Sequence, residues 1–212
     1  MTIASSNRTP ALLALAIAAA LTFTAVPLST THAATPAQST GTESKAQQLN
    51  HLYAEFWEET LKLNPLQATF QGDNRYNDEL PNFFTEASRK EAHDFTVRWL
   101  KRVEAIGPKG LSGQDRLSYD IFVKNAKDSL EGERFPGHLM PINQFGNIAG
   151  FAAQLGSGSS AQPFATVKDY ENWRKRAAKL PEIFDQAIVN MREGMRGGVV
   201  QPKVLMQKVL PQ

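Results

Sequence analysis

Histidine, acid and hydroxyl side chains set the chemistry open to this chain, because its 212 residues include no cysteine. Its histidines are His32, His51, His93 and His138. No two of them stand four residues apart, the spacing that turns two imidazoles onto one zinc ion. His51 and Glu55 lie one helical turn apart and read as a pair on a helix surface. The string Gly132-Glu133-Arg134-Phe135-Pro136-Gly137-His138 sets a candidate general base close to an imidazole. It lacks the first histidine that a zinc-peptidase motif places beside its glutamate, so it reads as the turn leaving the preceding helix.

The hydroxyl-rich and acid-rich stretches are no richer in chemistry. Gly156-Ser157-Gly158-Ser159-Ser160 fits neither a nucleophile elbow nor a phosphate loop and is expected to be a flexible loop or hinge. Asp73-Asn74-Arg75-Tyr76-Asn77 begins like a calcium loop, but Asp78 stands where the glycine belongs and the bidentate glutamate is missing. Arg174, Lys175 and Arg176 read as the solvated face of a helix. Spacing therefore assigns no catalytic, cofactor-binding or metal-ligating residue to this chain, and no cofactor.

The elements that would position these residues are helical. Ser44 can cap a helix whose apolar positions Leu49, Leu52, Tyr53, Phe56, Trp57 and Leu61 share one face. Asn64-Pro65 ends it and can open a short helix through Leu66 to Phe70, stopped at Gly72. Asp73 to Pro81 is a loop. Thr85, or Ser88 with Glu91 as a capping box, starts a helix through the apolar positions Phe95, Trp99, Leu100 and Val103 that ends at Gly107-Pro108. Ser112 can cap the next, with Tyr119, Phe122, Val123, Ala126 and Leu130 on its apolar face. Thr166 with Asp169 forms another N-terminal box, and an apolar stripe then runs through Trp173, Ala177, Leu180, Phe184, Ala187, Ile188, Met191 and Met195. Pro181 should kink or split that stretch, and Gly197-Gly198 should stop it. Pro202 opens a last helix through Val204, Leu205 and Val209. No convincing alternating strand occurs before the fourth of these helices ends, and the expected class is all-α, a multi-helix array.

Between Phe135 and Thr166, prolines and glycines punctuate a stretch that is nevertheless apolar. Irregular loops of that length are uncommon in compact domains. Either short helical turns lie there, for example Phe151 to Leu155, or the segment packs against a ligand cleft or more protein.

The N-terminus reads as an export signal. Arg8 is followed by an apolar run from Ala11 to Val26, helix-breaking Pro27, and small residues around Thr31-His32-Ala33, giving cleavage after Ala33. The rival is a retained anchor, which needs roughly 20 apolar residues and a basic stop-transfer cluster. The expected organisation is a signal peptide over residues 1–33, a flexible leader over 34–43 and a helical domain over 44–212. The product is expected to be periplasmic or secreted, with no membrane attachment after cleavage. Without Arg8 the chain carries 22 basic and 21 acidic side chains, from totals of 23 and 21. That balance, with no basic stripe interleaved with aromatics, argues against a nucleic-acid partner. The apolar helix just before Gln212 lacks a later element to cover it, so the sequence looks truncated; the alternative is a short helix docking back on the domain.

Several segments together resemble a known family: Phe56-Trp57-Glu58-Glu59 leading into Asn64-Pro65-Leu66-Gln67-Ala68-Thr69; Leu117-Ser118-Tyr119-Asp120; Met140-Pro141-Ile142-Asn143-Gln144; and Asp169-Tyr170 before the stripe ending at Gly197-Gly198. From about Gln48 to Gln212 the chain resembles the N-terminal portion of the bacterial exported domain-of-unknown-function family 885. The resemblance implies a larger all-helical fold, similar to zinc peptidases of the Taq-type carboxypeptidase kind, with its His-Glu-x-x-Pro-Gly-His signature in a C-terminal half. No ligand of that zinc maps onto a residue here, so zinc is expected only for a full-length homologue. Two functions follow as expectations. One is a truncated N-terminal part of an exported zinc-dependent hydrolase, inactive alone, whose stretch Phe135 to Thr166 walls a cleft; its partners would be a peptide substrate or the missing C-terminal portion. The other is a complete, non-catalytic periplasmic helical binding module.

Overall fold

The computed structural model describes residues 43–143 and 145–211, within one compact unit spanning Thr42–Gln212. The segments expected to be a signal peptide and, but for Glu43, a leader lie outside the described residues. The described chain is all-α, with eight α-helices, two 3-10 turns and no strand.

Helix α1, Lys45–Leu63, begins where Ser44 accepts from the Gln47 amide at 3.3 Å and the Gln47 side chain accepts from the Ser44 amide at 3.0 Å. This reciprocal box occupies two of the amides that a helix start leaves unpaired. Helix α2, Pro65–Phe70, follows at once. Asn64 makes no side-chain cap there, so the start rests on Pro65, which has no amide to satisfy and a φ already suited to a helix. Helix α3, Glu86–Ile106, is capped by Thr85, whose hydroxyl accepts from the Ser88 amide at 3.1 Å. Of the two starts the sequence allows, the structure takes the earlier. It ends at Gly107, whose φ of 69° lies in the left-handed region that favours glycine. Helix α4, Gly113–Gly132, returns alongside it.

Leu49 of α1, Val103 of α3 and Tyr119 of α4 form the first core, with Leu52, Phe122 and Val123 packed around them. Trp99 of α3 is 1% exposed, and its ring meets Phe56 edge-on at 5.5 Å. The outer faces of these helices are tied by ion pairs: Glu55 with Arg102, Glu59 with Arg98, Glu104 with Lys127.

The second half starts from the punctuated stretch. A 3-10 turn, Gly137–Leu139, and helix α5, Ile148–Gly156, do lie there, the first of the two alternatives that the length of the stretch left open. Helix α6, Val167–Ala177, carries the expected Thr166–Asp169 box, and Pro181 splits the long stripe by opening helix α7, Leu180–Gly197. Gly198, at φ 73° and ψ 13°, caps α7 in the left-handed conformation, and helix α8 covers Lys203–Val209. Leu80, Ile148 and Ile183 form the second core with Leu66, Phe84 and Phe151. Two glycines permit the close packing. A Cβ at Gly156 would sit 2.5 Å from the Trp173 indole, and one at Gly194 would sit 2.5 Å from the Val199 carbonyl and 3.0 Å from that of Leu139. Any larger residue at either place forces backbone or ring to move.

Two readings of this half are corrected by the structure. Arg174 and Lys175 are solvated, but Arg176 is 0% exposed. The α7 stripe is also turned by about one residue: Ile183, Ala187, Asn190 and Gly194 face inward, leaving Ile188 and Met195 exposed. The rotation is held by polar contact as well as apolar packing, since the buried Asn190 amide donates to the Phe84 carbonyl at 2.9 Å.

Several carboxyls are held below their ordinary range: Asp169 by the Thr166 hydroxyl and backbone, Asp73 by Arg75, and Asp78 by Lys175. Each binds its proton less readily folded than unfolded. The stability they confer is present above the unfolded carboxyl range and lost as pH falls through their lowered values. Thermal melts followed by circular dichroism are therefore expected to show a loss of stability below about pH 4. D169N, which no longer titrates at that cap, should start lower and fall less steeply.

Candidate functional site

A cleft of about 1100 Å³ opens between the end of α1, the start of α2, the loop at 78–82, the first half of α3 and the start of α7. Ligand sites usually occupy roughly 300–1,000 Å³, so an extended ligand has room here. Leu63, Pro65, Leu80, Phe95 and Ile183 supply apolar lining. Pro65, Leu80 and Ile183 are buried, and the last two belong to the second core, so this surface is fixed by the fold.

Charged side chains line the rest. Glu59 is held twice, by Arg98 and by the Trp99 indole N–H, which donates at 3.1 Å. Lys90 pairs with Asp94 one turn on, which holds the Asp94 carboxyl below its usual range. Asp78 takes Lys175 at 2.9 Å. Five lining groups, Lys62, Lys179, Glu79, Glu91 and Glu182, are exposed and make no ion pair among the described residues. The cleft thus offers an apolar lining and unpaired charges of both signs. It can hold a chain of mixed charge, and its lining contains no serine, threonine, cysteine or histidine that could act as a nucleophile or imidazole base.

Behind the cleft wall, Arg176 fixes the loop that forms it. Its guanidinium donates to the carbonyls of Glu79 at 3.0 Å and Tyr76 at 2.8 Å, to Thr69 Oγ1 at 3.1 Å and to Gln162 Oε1 at 2.5 Å. The Thr69 hydroxyl in turn donates a hydrogen bond to Asn77 Oδ1 at 2.7 Å. Burial pulls the Arg176 pKa down to about 10, opposed by the charges of Asp78 and Glu79. The group remains a cation at neutral pH.

Residues 65–212 match the family model described as bacterial protein of unknown function, DUF885. The chain belongs to this family. No curated protein and no solved structure matches it. The DUF885 match begins at Pro65, so α1, with the Phe56-Trp57-Glu58-Glu59 segment of the resemblance and the cleft residues Glu59, Lys62 and Leu63, precedes the matched stretch.

Within this DUF885 chain the residues weighed for chemistry are dispersed. His51 Nδ1 lies 2.8 Å from Glu43, and Glu55 is taken by Arg102, so the two do not pair with each other. Glu133 is engaged by His93 Nδ1 at 2.6 Å, while His138 sits in the 3-10 turn. Asp73 binds Arg75, with Glu58 at 2.8 Å on the far side, so a cation already fills the calcium-like loop. Ser157 donates to the Gln154 carbonyl at 2.7 Å in the turn after α5. Among the described residues no group of three or more His, Cys, Asp or Glu is placed to hold a metal ion, so these side chains do not fit a zinc site.

Residues 135–166 do not line the charged cleft. Ile148 and Phe151 belong to the second core instead, and Leu139, Met140 and Ile142 border a smaller apolar groove. The cleft was not legible in the sequence because its walls come from segments about a hundred residues apart. The local signals that existed were the Asn- and Asp-rich loop after Gly72 and the helix restart at Pro181.

Proposed function

We propose that these helices form the substrate-holding part of an exported, zinc-dependent peptidase-like hydrolase, and that the charged cleft takes an extended peptide. The observation that supports this is the cleft itself: a fixed apolar surface with unpaired lysines and glutamates around it suits a backbone carrying side chains of both signs. Hydrolysis is not assigned to any residue of this chain. Export follows in this reading from the N-terminal signal, with the product periplasmic or secreted; no described helix is long and apolar enough to cross a membrane.

A fluorescein-labelled unstructured peptide of mixed charge tests the reading by anisotropy with the full chain. It should bind with or without zinc and remain uncut. Reversing both free lysines, Lys62→Glu with Lys179→Glu, should weaken binding about tenfold, the effect of losing roughly 1.4 kcal/mol. Absence of binding, or binding indifferent to the double variant, would sink the proposal. The second reading, a non-catalytic periplasmic binding module, is supported by the same cleft. The DNA beyond codon 212 separates the two: an in-frame or frameshifted continuation encoding a zinc motif favours the hydrolase, and unrelated sequence favours the module.

A further inference from the structure

The chain has five methionines, one of them Met1, and the fold gathers the other four in one place. Met140, Met191, Met195 and Met206, with Leu139 and Ile142, line an apolar groove of about 170 Å³ between the 3-10 turn, α7 and α8. Thioether side chains are unbranched and polarizable, and grooves built from them adapt to varied apolar partners. Exposed apolar side chains lie on the same helices or just past them: Met195 is 70% exposed, Val204 60% and Leu210 87%.

The segment that carries three of the four groove methionines is basic. From Val189 to Pro211 the chain carries Arg192, Arg196, Lys203 and Lys208 against a single acid, Glu193. All four cations are exposed, and none makes an ion pair among the described residues. By contrast, the twelve ion pairs found among the described residues all lie within residues 43–175.

We propose that this groove docks an acidic, amphipathic segment of a partner protein, whose apolar side chains enter between the methionines while its carboxylates meet Arg192, Arg196, Lys203 and Lys208. Charge complementarity selects this occupant. A second copy related by a two-fold axis would set the same cations against each other, a repulsive arrangement. A bilayer surface would neutralise the charge but leave the concavity unfilled, whereas an amphipathic helix laid in a groove fills it. The groove shares no lining residue with the charged cleft, so the outcome at one site is separate from that at the other.

The probe is a synthetic peptide with leucines at helical spacing and glutamates between them, compared by anisotropy with the same peptide carrying lysines for the glutamates. The full chain should bind the acidic peptide and not the basic one. Arg192→Glu with Arg196→Glu should weaken that binding at least about tenfold, and raised salt should weaken wild-type binding. Met195→Asp should abolish it, while the exposed position of all three residues leaves the melting curve in place. Equal binding of both peptides, or binding indifferent to the charge reversal, overturns the proposal. So does failure to bind the acidic peptide, whether light scattering then finds a Met195-dependent dimer, phosphatidylglycerol vesicles capture the chain, or neither occurs.

Discussion

Arg176→Met is expected to cost about 3–5 kcal/mol, because several neutral acceptors lose their donor at about 1–3 kcal/mol for each that is left buried and unmet. For a domain of this size that lowers the melting temperature by roughly 6–20 °C. Methionine keeps much of the length and fills much of the space, so the loss is polar. The carbonyls of Tyr76 and Glu79, Thr69 Oγ1 and Gln162 Oε1 all lose their guanidinium donor at once, the last two in fully buried contacts. An unmet buried acceptor costs about 1–3 kcal/mol, and a carbonyl cannot be mutated away to relieve it. Among the described residues no carboxylate pairs with Arg176, and Asp78 in the loop beside it pairs with Lys175. Arg176→Lys keeps the charge but has one nitrogen in place of a planar fork, so it should recover only part of the loss. Urea unfolding of the three proteins gives the comparison. An R176M chain as stable as the wild type would mean that these contacts hold no loop in place.

Trp99→Ala should be comparably damaging, at about 3–5 kcal/mol. The indole is 1% exposed, lies against Phe56 and Phe95, and carries the Arg102 guanidinium 4.2 Å over its ring. Truncation leaves a cavity between α1 and α3 and removes the donor to Glu59. Trp99→Phe separates these effects. It retains most of the apolar bulk and loses one hydrogen bond, worth about 1 kcal/mol, while Arg98 still holds Glu59. The consequence reaches the cleft because Glu59, Phe95 and Arg98 line it. Labelled-peptide binding should therefore fall more in W99A than in W99F. Equal binding in both would show that the wall does not depend on the tryptophan.

Arg176 and Trp99 differ in how readable they were. Trp99 falls on the apolar face predicted for its helix, and periodicity alone puts such a residue inside. Arg176 sits in a basic triplet whose other two members are solvated, and composition offers no reason to separate it from them. Its burial depends on acceptors at 69, 76, 79 and 162, of which the farthest is 107 residues away. The same limit applies to the methionine groove. Met140 lies in a punctuated stretch, and Met191, Met195 and Met206 lie in helices beyond it; nothing local says that they meet.

The helices themselves follow from the sequence. Ser44, Thr85 and Thr166 cap their neighbours through bonds spanning three residues, Pro181 and Gly198 punctuate by backbone restriction and freedom, and apolar spacing marks one face of each helix. All these are interactions within one or two turns, so the order of residues determines them. The all-α class and the lack of any spaced metal or nucleophile motif come from the same local rules. The tertiary structure decided the rest: which face of α7 turns inward, that one arginine of three is buried, that the punctuated stretch packs into a core while the cleft opens elsewhere, and that four methionines share a groove. Those outcomes depend on competition between distant surfaces for the same apolar contacts and hydrogen-bond partners, and that competition is settled only when the helices assemble.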